Sequence, residues 1–263
     1  MQLFDRFNLG HGFRKYFEVQ PALDDTLRDE VFRIRHEVYC EELAFEPERP
    51  DRREFDEYDA HSLHCLMRTS GELHEPVGCT RLVLARPDDP DYLLPFERTC
   101  MYSLDRSIVD PLRLPRDRIA EVSRLAVRAR FRRRRGDKVD RVPIHDEDFG
   151  SVVHPRFPYI PIGLYLGAIA LAARSGIDTL FVLTEPRLAS HFSKLGVEVT
   201  QIGEPIEHRG TRIPSMMNVH GIIRGMRFLV KPMWRVIREE MEQGFECAAG
   251  GARLTDRPVT DRR

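Results

Sequence analysis

The chain has 263 residues, 41% of them hydrophobic, enough to bury the core of one large domain or two small ones. Its 41 basic and 42 acidic residues leave a net charge of −1, so no global field selects a nucleic acid or a membrane surface. Five cysteines (Cys40, Cys65, Cys79, Cys100, Cys247) stand apart with no C-x-x-C pair; this suits a reducing compartment, argues against a zinc site, and reads each as a small buried hydrophobe.

In chain order, the N-terminal residues have no apolar run behind them and are no signal peptide. Residues 16–19 read as a short strand ending at Pro21. Asp24 or Asp25 caps a helix running to about residue 42, on which Leu27, Val31, Ile34 and Val38 recur at four-three-four spacing as the buried face. Phe32, Arg35 and Tyr39 form a neighbouring stripe, so Arg35 and Tyr39 sit one turn apart and address the same site. Residues 45–58 form a polar loop containing Pro47 and Pro50, longer than the ~12 residues above which loops are usually functional or disordered. Strands at 62–68 and 77–85, joined by a turn at 71–74, predict an antiparallel hairpin.

Residues 87–115 are a Pro- and Asp-rich insertion with one short helix near Phe96. A strand at 118–128 follows, then a basic run in which six of the eight positions 128–135 are Arg, and a second insertion at 137–158. Residues 162–174 are apolar on every side and predict a buried helix, with Gly163 and Gly167 admitting close approach. The longest apolar stretch, 161–173, falls short of the ~20 residues that span a bilayer, so a soluble cytoplasmic protein is expected. A strand at 178–184, a short helix at 186–195 closed by Gly196, strands at 197–202 and 219–223, and a helix at 234–243 complete an α/β series, read as a single domain over 1–245. The Gly-, Ala-, Arg- and Asp-rich tail 246–263 is expected to be disordered.

One set of residues departs from what a core needs. Glu121 and Arg124 lie inside 119–127, a run that otherwise reads as a buried strand. Buried charges need partners, and a strand carrying two of them either joins an ion-pair network or does chemistry. In a regular strand, residues three apart point to opposite faces; the two share a side only if a β-bulge intervenes.

Arg35 is followed by an aromatic four later (Tyr39), another six after that (Phe45), and acids eleven and fourteen further on (Asp56, Asp59); Arg81 and the run Glu121-Val122-Ser123-Arg124 come next. In this order and spacing the chain resembles the acyl-homoserine-lactone synthases, which usually carry Phe and Trp at the two aromatic positions. The fuller likeness, through residues 33–45, 78–82 and 123–127, is to the exosortase-associated acyltransferases, which accompany the PEP-CTERM protein-sorting system of Gram-negative bacteria, and to the N-acyl amino acid synthases.

The resemblance implies an α/β (α+β) GNAT-like acyltransferase fold: a central mixed, mostly antiparallel sheet flanked by helices, with two central strands splayed at a bulge. It implies Glu121, Ser123 and Arg124 as the catalytic set, Glu121 being the base that takes a proton from an attacking amine. No G-x-S-x-G elbow surrounds Ser123, which excludes a hydrolase nucleophile. Arg35, Tyr39, Phe45, Asp56, Asp59 and Arg81 are implied to order the acceptor site.

The segment 133–138 looks like the superfamily's phosphate loop, with Lys138 in place of a small third anchor, which weakens a coenzyme A site. Val127, Arg128, Arg132, Arg133, Arg134 and Arg135 are instead read as the surface for an acidic acyl carrier protein and its phosphopantetheine. A solvated basic turn is the competing reading, and nucleic acid is disfavoured because only Phe131 interleaves the arginines. His154, His191 and His220 have no metal-ligand spacing. The expected activity is N-acyl transfer from an acyl carrier protein thioester to a small amine, with no tightly bound cofactor, no metal, no nucleic-acid partner and no transmembrane segment. Its alternatives are a coenzyme A-dependent acetyltransferase and a non-catalytic acyl-binding protein on the same scaffold.

Overall fold

A computed structural model describes residues 8–132, 158–186, 188, 192, 193 and 195–255. Helix α1 (Leu9–Tyr16) leads into β1 (Phe17–Pro21), and α2 (Asp25–Arg35) continues into a π-helix (His36–Glu42). Asp24 caps α2 by accepting the Leu27 amide at 2.8 Å. A 3₁₀ turn (Glu57–His61) precedes the hairpin β2 (Ser62–Thr69) and β3 (Pro76–Leu84). The first insertion contributes α3 (Pro95–Thr99); then come β4 (Ile119–Val127), α4 (Ala129–Arg132), α5 (Tyr159–Arg174) and β5 (Thr179–Thr184). Two short strands, β6 (Thr200–Gln201) and β7 (Ile206–Glu207), precede β8 (Thr211–Asn218), α6 (Val219–Gly225) and α7 (Lys231–Thr255).

The strands form one mixed sheet in the order β1-β2-β3-β4-β5-β8-β6, with β7 also pairing β8. Only the β4–β5 pairing is parallel among these ladders. The fold is thus the mostly antiparallel, helix-flanked GNAT-like sheet that the motifs imply. Helix α5 lies against the middle of one face. Its Gly163 and Gly167 leave no room for a side chain: a Cβ there would come within 2.5 Å of Met67 Cε and 2.4 Å of Cys65 Sγ. Helix α2 covers the other face, packing Val31 and Ile34 on Leu66, Cys79 and Ala126.

Three expectations fail in the C-terminal third. Residues 219–223 are helix rather than strand, because Asn218 caps α6 by accepting the Gly221 amide at 2.7 Å. The long last strand is β8, just before it, and the strand expected at 197–202 shrinks to Thr200–Gln201. The helix expected at 234–243 starts at Lys231 and runs through the segment expected to be a disordered tail, as far as Thr255. All but the last residue of the insertion 137–158 lies outside the described residues, as does half of the helix expected at 186–195. No described helix is long and apolar enough to cross a membrane.

Candidate active site

The centre of the sheet carries the irregularity that the spacing of Glu121 and Arg124 requires. Along β3–β4, Arg81 is opposite Ser123 while Cys79 is opposite Ala126, so β4 holds one residue more than its partner. Arg124 has φ +50°, the left-handed conformation of a bulged residue. The shift places Arg124 on the α2 side of the sheet with Arg81 and Glu121. The β4–β5 pairing stops at Glu121–Phe181 although both strands run on, so the two strands part beyond Glu121.

Three arginines from three elements meet the carboxylates of the loop before β2. Arg35 is fully buried; its Nε donates to Glu54 at 2.5 Å and its two terminal nitrogens to Asp59 at 2.6 and 3.0 Å. Arg81 Nη1 reaches Asp56 at 2.6 Å and Asp59 at 3.1 Å, and its Nε donates to Ser123 Oγ at 3.1 Å. Arg124 meets Glu54, Asp56 and Glu46 at 3.1–3.2 Å. The loop presents its acids this way because they cap the 3₁₀ turn: Asp56 accepts the Tyr58 amide at 3.0 Å and Asp59 accepts the Asp56 amide at 2.7 Å. Burial works to raise Asp59, but the Arg35 and Arg81 guanidiniums outweigh it and hold the carboxyl well below its usual range. For Arg35, burial is likewise overcome by Glu54 and Asp59, and its charge is held more firmly than usual.

The two aromatics frame this network. Tyr39 donates its hydroxyl to the Leu125 carbonyl at 2.7 Å, one residue past the bulge, and its ring lies 5.6 Å from the Arg124 guanidinium carbon. Burial pushes its phenol up to about 12, so it stays a neutral donor. Phe45 packs beside α2, with Arg209 5.6 Å from its ring; Arg209 also binds Glu46 at 2.6 Å.

Glu121 stands apart from the ion pairs. It is 3% exposed and accepts the Phe96 amide at 2.7 Å, from the first turn of α3. Burial pushes its carboxyl up to about 8, against the Phe96 amide, Arg81 and Arg124, which favour the anion. Helix α3 is itself held by Glu97, which accepts the Leu94 amide and pairs through both oxygens with buried Arg116 at 2.9 Å. The first insertion therefore ends on the central carboxylate.

The basic run distributes differently from the sequence reading. Val127 is buried in the core beneath α5, so its side chain presents nothing to a carrier. Arg128 pairs with Glu37 at 2.7 Å and Arg132 with Glu42, both acids on the π-helix, so these arginines fasten α4 to it. Arg133, Arg134, Arg135 and Lys138 lie outside the described residues, with His154 and His191. His220 sits on the surface, 3.2 Å from Asp178. Glu46, Glu54, His64, Glu97 and Arg116 escaped sequence reasoning; all but His64 lie in stretches without periodicity. No described group of three His, Cys, Asp or Glu residues is placed to hold a metal. A cavity of about 600 Å³ between β1, the start of α2 and α7 shares no residue with the arginine–carboxylate network.

A splayed mixed sheet with a bulge at its centre, facing a buried carboxylate, defines a GNAT-type acyltransferase architecture. Residues 34–139 match the family model described as Acetyltransferase (GNAT) domain, and the chain thus carries an acyl-transferring enzyme domain. Among solved structures, the fold is similar to that of the acyl-homoserine-lactone synthase LasI, with 17% identity, 81% of this chain and 98% of that one covered, and a TM-score of 0.55. It is also similar to BjaI, a CoA-dependent acyl-homoserine lactone synthase solved with SAM and isopentyl-CoA (18% identity, 85% and 89% covered, TM-score 0.50). A third is FeeM, an N-acyl amino acid synthase from uncultured soil microbes (15% identity, 81% and 96% covered, TM-score 0.50). No curated protein matches the chain.

Proposed function

We propose that this protein is an N-acyltransferase that moves a fatty acyl group from an acyl carrier protein thioester to the amine of an amino acid or related metabolite. The observation that carries the reading is Glu121: a buried carboxylate with no cationic ion-pair partner among the described residues, raised to about 8, beside the parting of β4 and β5. A carboxylate of that affinity accepts a proton from an ammonium-derived nucleophile near neutral pH. As the amine nitrogen bonds to the thioester carbon, its proton passes to Glu121, directly or through water. The carbon–sulfur bond then breaks, and the proton neutralises the departing thiolate. Backbone amides of β4 beyond the bulge are the proposed donors to the oxyanion.

In this reading Arg35, fully engaged by Glu54 and Asp59, shapes the site without touching substrate. Arg124, the least buried of the three arginines, is assigned to the acceptor's carboxylate. Tyr39 and Phe45 wall the acceptor pocket. The motif resemblance supports a cytoplasmic role beside the PEP-CTERM sorting system. An acyl-coenzyme A donor is the second reading, favoured by the similarity to a CoA-dependent synthase.

The test is incubation of the protein with long-chain acyl carrier protein, and separately with acyl-coenzyme A, plus a pool of amino acids, following thiol release and product mass. Faster thiol release from the carrier, with an N-acyl amino acid as product, is expected. Preference for acyl-coenzyme A would replace the donor, and binding without turnover would leave an acyl-binding protein.

A further inference from the structure

We propose that the corner between α6 and α7 is a docking surface for an anionic phospholipid bilayer. Phe228 and Leu229, at the tip of the connecting turn, are 83% and 60% exposed. The turn is no loose end. Buried Met226 and Val230 pin it on either side, and the Arg227 amide donates to the Leu195 carbonyl at 3.3 Å. Two large apolar side chains are therefore held outward on a fixed, convex support, where water alone gives no reason for them.

The charge around them is as unusual. Arg224, Arg227, Lys231, Arg235 and Arg238 are all exposed. Lys231, Arg235 and Arg238 follow at four and three residues along one face of α7, whose other face buries Met233, Trp234 and Ile237. Every other arginine with a described side chain pairs with a carboxylate. The four that have no such partner among the described residues all lie at this corner. In a chain of net charge −1, the arginines left uncompensated among the described residues are thus gathered around one apolar tip.

An aromatic and an aliphatic side chain set on a rigid turn and ringed by cations match the two layers of a bilayer surface. The tip enters the acyl boundary while the guanidiniums and the ammonium meet lipid phosphates. An acidic protein would satisfy the cations but would need a socket for Phe228 and Leu229. The surface is independent of the acyl donor and of the acceptor, so it stands or falls apart from the proposed reaction.

The experiment is co-sedimentation of the full chain with phosphatidylcholine vesicles, with and without phosphatidylglycerol, at low and high salt. Binding is expected with phosphatidylglycerol and weakened by salt. Arg235→Glu with Arg238→Glu should weaken it by roughly 25-fold or more, at about fivefold per cation lost. Phe228→Ser with Leu229→Ser should weaken the part that survives high salt. All four side chains are exposed, so the thermal unfolding midpoint should not move, and each double variant tests the surface without the other. Equal binding to neutral and anionic vesicles, or variants that bind like the parent, would overturn the proposal. Charge reversal that abolishes capture of acyl carrier protein yet leaves vesicle binding intact would make the corner a protein interface and likewise overturn it.

Discussion

The backbone amide of Phe96 donates to Oε2 of Glu121 at 2.7 Å, so an insertion between two strands reaches the carboxylate at the centre of the sheet. The hydrogen bond favours the anion, burial favours the acid, and burial wins.

With the carboxyl at about 8, the basic form of Glu121 grows as pH rises through that value. Acyl transfer should rise with pH and inflect near 8. Glu121→Gln should lower turnover by ~10²–10⁴-fold with the fold retained. The sign for stability is opposite: the folded state holds a proton that the unfolded chain releases at the ordinary 4.5, so Glu121 costs stability progressively from 4.5 up to about 8. Denaturation across that window should be flatter in the variant, and near-normal turnover by Glu121→Gln would remove the residue from the mechanism.

Arg116 acts on the same carboxylate at one remove. Arg116→Leu leaves Glu97 buried without its partner and should cost about 3–5 kcal/mol in urea denaturation. With α3 loosened, Glu121 loses the Phe96 amide, and the inflection of the pH–rate profile should move upward. An unchanged profile in a folded variant would limit the pair to a structural role.

Asp59 and Asp56 are chemically alike but differently placed, with side chains 7% and 27% exposed. Asp59→Ala leaves both Arg35 and Arg81 short of a partner in the interior, at an expected cost of about 3–5 kcal/mol. Asp56→Ala should cost less stability, because Arg81 keeps Asp59 and Arg124 keeps Glu54 and Glu46, while raising the KM for the acceptor through the loosened Arg124. Equal unfolding free energies for the two variants would contradict this division.

His64 packs between Arg35, Asp59 and Arg81, and burial followed by the Arg35 charge lowers it to about 3. The unfolded chain takes up a proton at the ordinary 6.5, so the stability tied to neutral His64 is complete above 6.5 and is lost as pH falls toward 3. His64→Gln should lessen that loss, as read from denaturation midpoints across the window. A variant with the same acid sensitivity would mean that His64 does not supply it.

At Arg124 the backbone and the charge can be separated. Arg124→Gly and Arg124→Val both remove the guanidinium, but only Gly is at ease at φ +50°. The Val variant should be less stable than the Gly variant by roughly 1–2 kcal/mol in chemical denaturation, the cost of a left-handed residue. Equal stability would show that the bulge relaxes.

What could be read beforehand follows from where periodicity acts. Arg35 and Tyr39 lie on a helix, and their shared direction follows from their spacing; the bulge at Arg124 follows from two charges three apart in one strand. Asp56 and Asp59 lie in a loop, where only resemblance to a known spacing singled them out. Glu54 lies in the same loop outside that spacing and was missed, although it is as buried as many core residues. The strand β8 was hidden by Pro214, a residue seldom found inside a sheet. The segment after it, with β-branched Val219, Ile222 and Ile223, mimicked a strand, although Asn218 offered the helix cap that decides the matter. The Glu97–Arg116 pair joins residues 19 apart through an insertion, a distance that no local pattern reports.

The π-helix His36–Glu42 carries a further consequence. Its backbone closes one residue wider than an α-helix, as in the Leu43 amide donating to the Val38 carbonyl at 3.0 Å. Such a segment behaves as an α-helix holding one surplus residue, and each residue turns a helix by about 100°. Deleting a single residue between 36 and 42 would remove that surplus and let the segment close as an ordinary α-helix, keeping Leu43, Phe45 and the acids beyond them near their places. The acceptor wall is thus buffered against the loss of one residue here, whereas the same deletion within Asp25–Arg35, where no surplus exists, would turn everything beyond it by about 100°.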